Sequence, residues 1–235
     1  MKLLEKNKQI AVLIDPDKID EKQLVALVKK ATEAKVDFFL VGGSLLLKNN
    51  FENIISILKT LSKKKVIIFP GNPTQISNQA DGILLLSLIS GRNADLLIGN
   101  HVHAAPLLKQ SKLAIIPTGY MLIESGNTTT VSYISNTQPI PANKPEIAAC
   151  TALAGEQLGL QCIYLEAGSG AQNAVSKETI RAVRKSTKIP LIVGGGLRSK
   201  EAIETAFNAG ADVVVIGTAI EKDVNFLNEI KSIKR

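Results

Sequence analysis

Two carboxylates stand out in this 235-residue chain by what surrounds them. Asp15 follows the apolar run Ile10–Ile14 and opens the string Asp15-Pro16-Asp17-Lys18. Glu166 follows Gln161–Leu165 and opens Glu166-Ala167-Gly168-Ser169-Gly170. A carboxylate directly after a buried strand projects from the strand end, where a ligand can reach it. Asp15 could ligate Mg²⁺, which takes one or two carboxylates together with waters and substrate phosphates. An Asp before Pro is also ordinary turn chemistry. Ser44, in Gly42-Gly43-Ser44, could add a hydroxyl to the same site or N-cap the next helix. Glu166, two residues after Tyr164, reads as a substrate-binding carboxylate or general base, the alternative being half of a structural ion pair.

Glycines mark the other side of this chemistry. Gly194-Gly195-Gly196 and Gly217-Thr218 each come after a short β-branched run and precede a helical pattern. Backbone N–H groups freed of side chains can close on a phosphate, and a helix start directly behind them adds a favourable dipole. Without a ligand the same glycines would simply make tight turns. His101 and His103 spell H-x-H, but they fall inside a helical stretch, where residues two apart point to different faces, so a metal pair is not expected. Cys150 and Cys162 lack a Cys-x-x-Cys partner and read as small core residues of a reduced, cytoplasmic protein.

Such groups need elements to hold them. Eight apolar runs qualify as strands: Ile10–Ile14, Val36–Val41, Val66–Phe69, Gly82–Leu86, Leu113–Pro117, Gln161–Leu165, Leu191–Val193 and Val213–Ile216. They are apolar on both faces, as a parallel sheet covered by helices requires. Helical spacing lies between most of them, as in Leu24, Leu27, Val28 and Ala31, or Ile54, Ile57, Leu58 and Leu61. Strand–helix alternation sustained eight times predicts an α/β protein, a (β/α)8 or TIM barrel spanning residues 1–235 as a single domain. The third unit is irregular. Pro70-Gly71-Asn72-Pro73 leaves little room before Asp81, so its helix is expected to be reduced or missing. Residues 119–135 alternate on both sides of Ser125-Gly126-Asn127 and suggest a hairpin-like extension on the rim.

Composition narrows the partners. The chain is 45% hydrophobic and 21% charged, with a net charge of +7. Its lysines are scattered apart from Lys63–Lys65, aromatics make up 4%, and Trp is absent. That argues against nucleic acid and for a small anionic substrate or an acidic membrane surface. No apolar stretch approaches the twenty or so residues of a transmembrane helix, and no signal peptide is read at the N-terminus. Taken alone, these features leave open a sugar-phosphate isomerase-like barrel or a barrel that binds a phosphorylated ligand without catalysis.

The strings LIDPDK, FFLVGGSLL, IIFPGNPTQIS, ADGILLLSLISGRN, IGNHVHAAP, PTGYMLIESG, YLEAGSGA, VGGGLRS and VVVIGTAIEKD run in order along nearly the whole chain. Together they resemble the geranylgeranylglyceryl phosphate synthase family, which includes related bacterial heptaprenylglyceryl phosphate synthases. The resemblance implies a modified barrel in which an extended segment replaces one helix. It implies transfer of a polyprenyl group, geranylgeranyl in the first instance, from its diphosphate to the 3-hydroxyl of sn-glycerol 1-phosphate, with Mg²⁺ as cofactor. Asp15 and Ser44 match the family's metal positions. Tyr164, Leu165, Glu166, Ala167, Gly168, Ser169 and Gly170 match its glycerol phosphate segment, and Gly195, Gly196, Gly217 and Thr218 its phosphate cup. Glu166 and Tyr164 are the expected catalytic pair. A homo-oligomer and peripheral membrane contact for product release are further expectations. The heptaprenyl branch carries a Lys where this chain has Leu13, so the pattern fits the archaeal-type group better. Many relatives carry a Trp where this chain reads Leu96-Leu97, which leaves the prenyl length open.

Overall fold

The computed structural model describes residue 4 and residues 8–233. Eight parallel strands close into a barrel in sequence order. They are β1 (Gln9–Ile14), β2 (Phe38–Val41), β3 (Lys65–Ile68), β4 (Gly82–Leu88), β5 (Ala114–Leu122), β6 (Cys162–Glu166), β7 (Leu191–Gly194) and β8 (Val213–Ile216). The last strand pairs with the first, Ile10 opposite Val214 and Val12 opposite Ile216. β2 and β8 are buried at every position because the barrel interior covers one face and helices the other.

The helices are α1 (Glu21–Glu33), α2 (Phe51–Leu61), α3 (Asn100–Gln110), α4 (Thr130–Ile134), α5 (Pro145–Gln157), α6 (Lys177–Ser186), α7 (Lys200–Ala209), α8 (Thr218–Lys222) and α9 (Phe226–Ile230). Their starts are written in local side chains. Asp20 and Gln23 form a capping box on α1, and Ser176 and Ser199 cap α6 and α7 through their hydroxyls. Successive strand residues alternate between two cores. One fills the barrel interior with Phe38, Leu40, Ile67, Leu84, Tyr164 and Val213. The other lies between strands and helices and includes Val12, Phe39, Ile163, Leu165 and Ile180.

No helix connects β3 to β4, as the two prolines and the Gly-Asn pair predict. Side chains hold that segment instead. The Gly71 N–H donates to Gln75 Oε1 at 2.8 Å, the Ser77 hydroxyl donates to Glu52 at 2.7 Å, and Asn72 accepts from the Thr74 N–H at 2.9 Å.

The hairpin expected over 119–135 does not form. Its first half is the end of β5, and its second half is the helix α4. Thr129 and Ser132 make a capping box there, which outweighs the alternation of Val131, Tyr133 and Ser135. The chain returns at Ile140, which bridges Ile123 in parallel. Cys150 also departs from its expected core position. It is exposed on α5, whereas Cys162 is buried in β6 against the Thr118 hydroxyl at 3.2 Å, and burial pushes its thiol up to about 12. Among the described residues no helix is long and apolar enough to cross a membrane.

Candidate functional site

The C-terminal ends of all eight strands open on one face of the barrel, the end that carries sites in folds of this kind. A polar pocket of about 70 Å³ lies at its centre. Asp15 and Lys18 line it from the loop after β1, and Gly43 and Ser44 from the loop after β2. Tyr164, Glu166, Ser169 and Gly170 enter from β6 and its loop, Gly195, Gly196 and Arg198 from the loop after β7, and Gly217 and Thr218 from the end of β8. The expected site residues Asp15, Ser44, Tyr164, Glu166, Ser169, Gly170, Gly195, Gly196, Gly217 and Thr218 therefore converge from opposite ends of the chain.

Strand alternation sorts the remainder. Tyr164 and Glu166 point into the barrel, so Leu165 must point out, where it packs in the strand–helix core with Ala167. Leu165, Ala167 and Gly168 do not line the pocket. Gly168 serves it through its backbone, the N–H donating to Glu166 Oε1 at 2.6 Å. Its φ of +99° places it in the left-handed region that favours glycine.

Glu166 is only 5% exposed and makes no ion pair among the described residues, which removes the structural-pair alternative. Burial raises its pKa to about 7, against the lowering effects of the Gly168 N–H and Tyr164. That value is suited to accepting a proton near neutral pH. The Tyr164 hydroxyl is fully buried and lacks a hydrogen-bond partner within normal geometry. Burial first, and then the nearby Glu166 carboxylate, push this phenol and that of Tyr120 well above the usual range. Both rings are therefore neutral O–H groups at physiological pH.

Asp15 combines its two sequence readings. Its carbonyl accepts the Lys18 N–H and its Oδ1 accepts the Asp17 N–H at 3.1 Å, which is turn chemistry. Its Oδ2 faces Lys18 Nζ at 2.9 Å. Lys18 also reaches Glu221 at 3.5 Å. Burial alone would lower the Lys18 pKa, but Asp15 and Glu221 outweigh it and raise it. Ser44 caps no helix, since α2 begins only at Phe51 with Asn50 at its N-cap. Gly43 keeps side-chain bulk away from Asp15: a Cβ there would sit 3.4 Å from the carboxylate. One carboxylate and one hydroxyl at an open pocket fit a cation that keeps waters and takes further oxygens from substrate.

The glycine cup divides into two kinds. A Cβ on Gly195 would meet Glu166 Oε1 at 2.5 Å, and φ is +80°. Gly217 has an ordinary φ, and a Cβ there would find nothing nearer than Leu13 at 3.5 Å. Packing requires the first glycine and does not require the second. The helix behind Gly217 is only five residues long, so its dipole adds less than the sequence suggested, and Ser169, Thr218 and Arg198 supply the polar side chains.

A second cavity of about 160 Å³ adjoins the first. Phe69, Pro70, Ile76, Leu85, Leu88, Leu96, Ala104, Leu108, Val131 and Ile134 make it apolar. The two share Gly43, Ser44, Phe69, Tyr120 and Val131 as a common wall. Phe69 stacks on Tyr164 with ring centres 5.2 Å apart, and Tyr120 packs edge-on against both. The groove lies against the segment that lacks a helix. His101 borders it, its Nε2 2.9 Å from the Leu86 carbonyl oxygen, while His103 is exposed on another side of α3, so the two histidines do not share a ligand. Sequence reasoning missed Lys18, Glu221, Arg198, Phe69 and Tyr120. Only Lys18 and Arg198 left a signal, a cation beside each candidate loop.

A closed barrel of eight parallel strands with a glycine-lined polar pocket at its C-terminal mouth defines a (β/α)8 protein whose candidate site sits at the end where such barrels carry theirs. Residues 2–234 match the model of the PcrB family, and the chain belongs to that family. It is 53% identical to the geranylgeranylglyceryl phosphate synthase of Spirosoma linguale over 99% of this chain and 93% of that one. It is 40% identical to the enzyme of the same name from Korarchaeum cryptofilum, over 96% and 92%. The structure superposes with a TM-score of 0.90 on (S)-3-O-geranylgeranylglyceryl phosphate synthase from Thermoplasma acidophilum in complex with sn-glycerol-1-phosphate, at 34% identity, covering 96% of this chain and 91% of that one. A tryptophan synthase α-subunit from Pyrococcus furiosus, at 13% identity and a TM-score of 0.62, shares the barrel fold alone.

Proposed function

We propose that this chain is a prenyltransferase that joins a polyprenyl diphosphate to the 3-hydroxyl of sn-glycerol 1-phosphate, giving an ether lipid precursor and diphosphate. The observation that carries the reading is the shared wall between a polar, glycine-lined pocket holding Glu166 and an apolar groove. A reaction joining a phosphorylated polyol to a hydrocarbon chain needs both environments in contact. A sugar-phosphate isomerase would have no use for the groove, and a purely binding barrel would have no need of a buried carboxylate with a pKa of about 7.

Glycerol phosphate binding is supported by the relative solved with that molecule and by the chemistry of the pocket. Its phosphate would lie against the backbone of Gly195, Gly196 and Gly217, with Ser169, Thr218 and Arg198 beside it. The orphaned Tyr164 hydroxyl would donate to a glycerol or phosphate oxygen, relieving a buried unpaired donor. Glu166 orients the 3-hydroxyl and accepts its proton as the oxygen attacks the allylic carbon. The new C–O bond forms as the bond from that carbon to the diphosphate breaks. Phe69 and Tyr120 separate the two pockets and shield the reacting carbon from water.

Asp15 and Ser44 would hold Mg²⁺. Bound there, the ion supplies Lewis-acid neutralisation of the departing diphosphate. Lys18 lies on the same carboxylate and would face the same anion. The two unpaired cysteines suit the cytoplasm. Self-association finds its support in exposed apolar side chains on α3 and α5, among them Val102, Leu107 and Ile147.

Incubation with labelled sn-glycerol 1-phosphate and prenyl diphosphates of several lengths tests the reading. An ether-linked prenylglyceryl phosphate is the expected product. No lipid product with any donor would overturn it.

A further inference from the structure

Three segments frame the outer end of the apolar groove: residues 42–50, 69–80 and 125–137. They carry one charged side chain, Lys48, in a chain that is 21% charged. Their other residues are Gly, Pro, Ser, Thr, Asn, Gln, Ala and apolar types. Large apolar side chains nevertheless project from this collar into solvent. Leu47 is 82% exposed, Tyr133 78%, Leu45 53% and Ile134 52%. Leu45 is next to Ser44, which lines the groove, and Tyr133 sits between Val131 and Ile134, which also line it. The backbone behind Leu47 is fixed, because the Leu47 and Lys48 N–H groups both donate to the Asp17 carboxylate, at 2.6 and 3.0 Å. Leu47 is thus held outward on a braced loop.

We propose that this collar is a membrane-docking surface, which seats the barrel mouth on the interface of a phospholipid bilayer so that the groove opens into the acyl region. Charged side chains are costly in the hydrocarbon region, and the collar that would meet it has nearly excluded them. Leu and Tyr at the rim bury apolar area and, for Tyr, keep a polar tip in the headgroup layer. The net charge of +7 adds a general attraction to anionic lipid. The groove that the collar surrounds is the one assigned to the prenyl tail, so the proposal rests on that reading. A donor and a product with long hydrocarbon tails would then pass between bilayer and site without crossing water.

The test is co-sedimentation of the full chain, without substrate, with vesicles of phosphatidylcholine alone or mixed with phosphatidylglycerol. Leu47→Ser, Tyr133→Ser and the double variant are compared with the parent protein. Both side chains are solvent-exposed and outside the pocket linings, so folding, checked by thermal melting, is expected to be unchanged. The parent should partition onto vesicles, more strongly with anionic lipid. Each variant should bind more weakly, the double by about tenfold or more. Turnover of a short, water-soluble prenyl diphosphate should stay at the parental level in all three. No binding of the parent to either vesicle overturns the proposal. So does equal binding by the double variant, which would assign the attraction to scattered lysines. A changed oligomeric state of the double variant on gel filtration, with unchanged lipid binding, overturns it in favour of a contact between copies. Loss of the soluble-substrate reaction in the parent would instead count against the prenyltransferase reading and leave the vesicle result standing on its own.

Discussion

The barrel mouth has two halves built to opposite rules. The half formed by the loops after β6, β7, β8 and β1 is polar, rich in glycine and charged, with Asp15, Lys18, Glu166, Arg198 and Glu221 around one small pocket. The half walled by the segments after β2, β3, β4 and β5 encloses an apolar groove whose lining includes no Asp, Glu, Lys or Arg. Strand ends supply the same geometry to both. The difference lies in the loops: short glycine turns bring backbone N–H groups inward, whereas a proline-broken segment without a helix leaves a channel. Glu166 lies in the polar half beside Tyr164, whose ring stacks on Phe69 of the shared wall, and its raised pKa is a product of its burial there. Burial withholds water from the carboxylate, and the Gly168 N–H compensates only in part.

The largest expected effect comes from removing the proposed base from the polar pocket. Glu166→Gln should lower kcat by about 10²- to 10⁴-fold. The parent's rate should rise through about pH 7 as the carboxylate ionises, and the variant should lose that dependence. The same shift has a signature in stability. Because the folded state holds this proton up to about pH 7 while the unfolded chain releases it near 4.5, stability should fall as pH rises between those values. Glu166→Gln should flatten that slope in thermal melts. Unchanged kcat with a lower melting temperature would mean the carboxylate is structural.

The next effect lies across the mouth. Asp15→Ala, or excess EDTA with the parent protein, should lower turnover by about 10²-fold or more while leaving the fold intact. Full activity in EDTA would refute the metal. Gly217→Ala sharpens the assignment of the polar half. Packing has room for the methyl, so the melting temperature should hold while KM for sn-glycerol 1-phosphate rises about tenfold and that for the donor stays near the parental value. An equal rise in both would break it. Gly195 is a poorer probe, because any side chain there collides with Glu166 itself. The smallest effect belongs to the apolar half. Leu96→Trp should fill part of the groove and lower kcat/KM for the longest donor about three- to tenfold relative to the shortest. Uniform loss across donor lengths would place the tail elsewhere.

How much of this was legible in the chain depends on the range over which each feature is encoded. The eight strands, the missing third helix and the glycine turns are local: apolar runs of four to nine residues, two prolines three apart, Gly-Gly-Gly before a helix. Asp15, Glu166 and the glycine loops could be placed at the barrel mouth because a strand end is a local address in a barrel. Local pattern also misled. Alternation over 119–135 looked like a hairpin, but the Thr129–Ser132 capping box makes α4, and Cys150 faces solvent on α5.

Tertiary structure alone decided the rest. Within Tyr164–Gly168, register on the barrel turns Tyr164 and Glu166 inward and sends Leu165 and Ala167 to the outer core. Phe69 stacks on Tyr164 and Lys18 reaches Glu221 only because closure of β8 on β1 fixes the circumference of the barrel. The pKa of Glu166 is likewise a property of its surroundings. Chain composition sets which groups exist, but desolvation by residues far away in sequence sets how they behave.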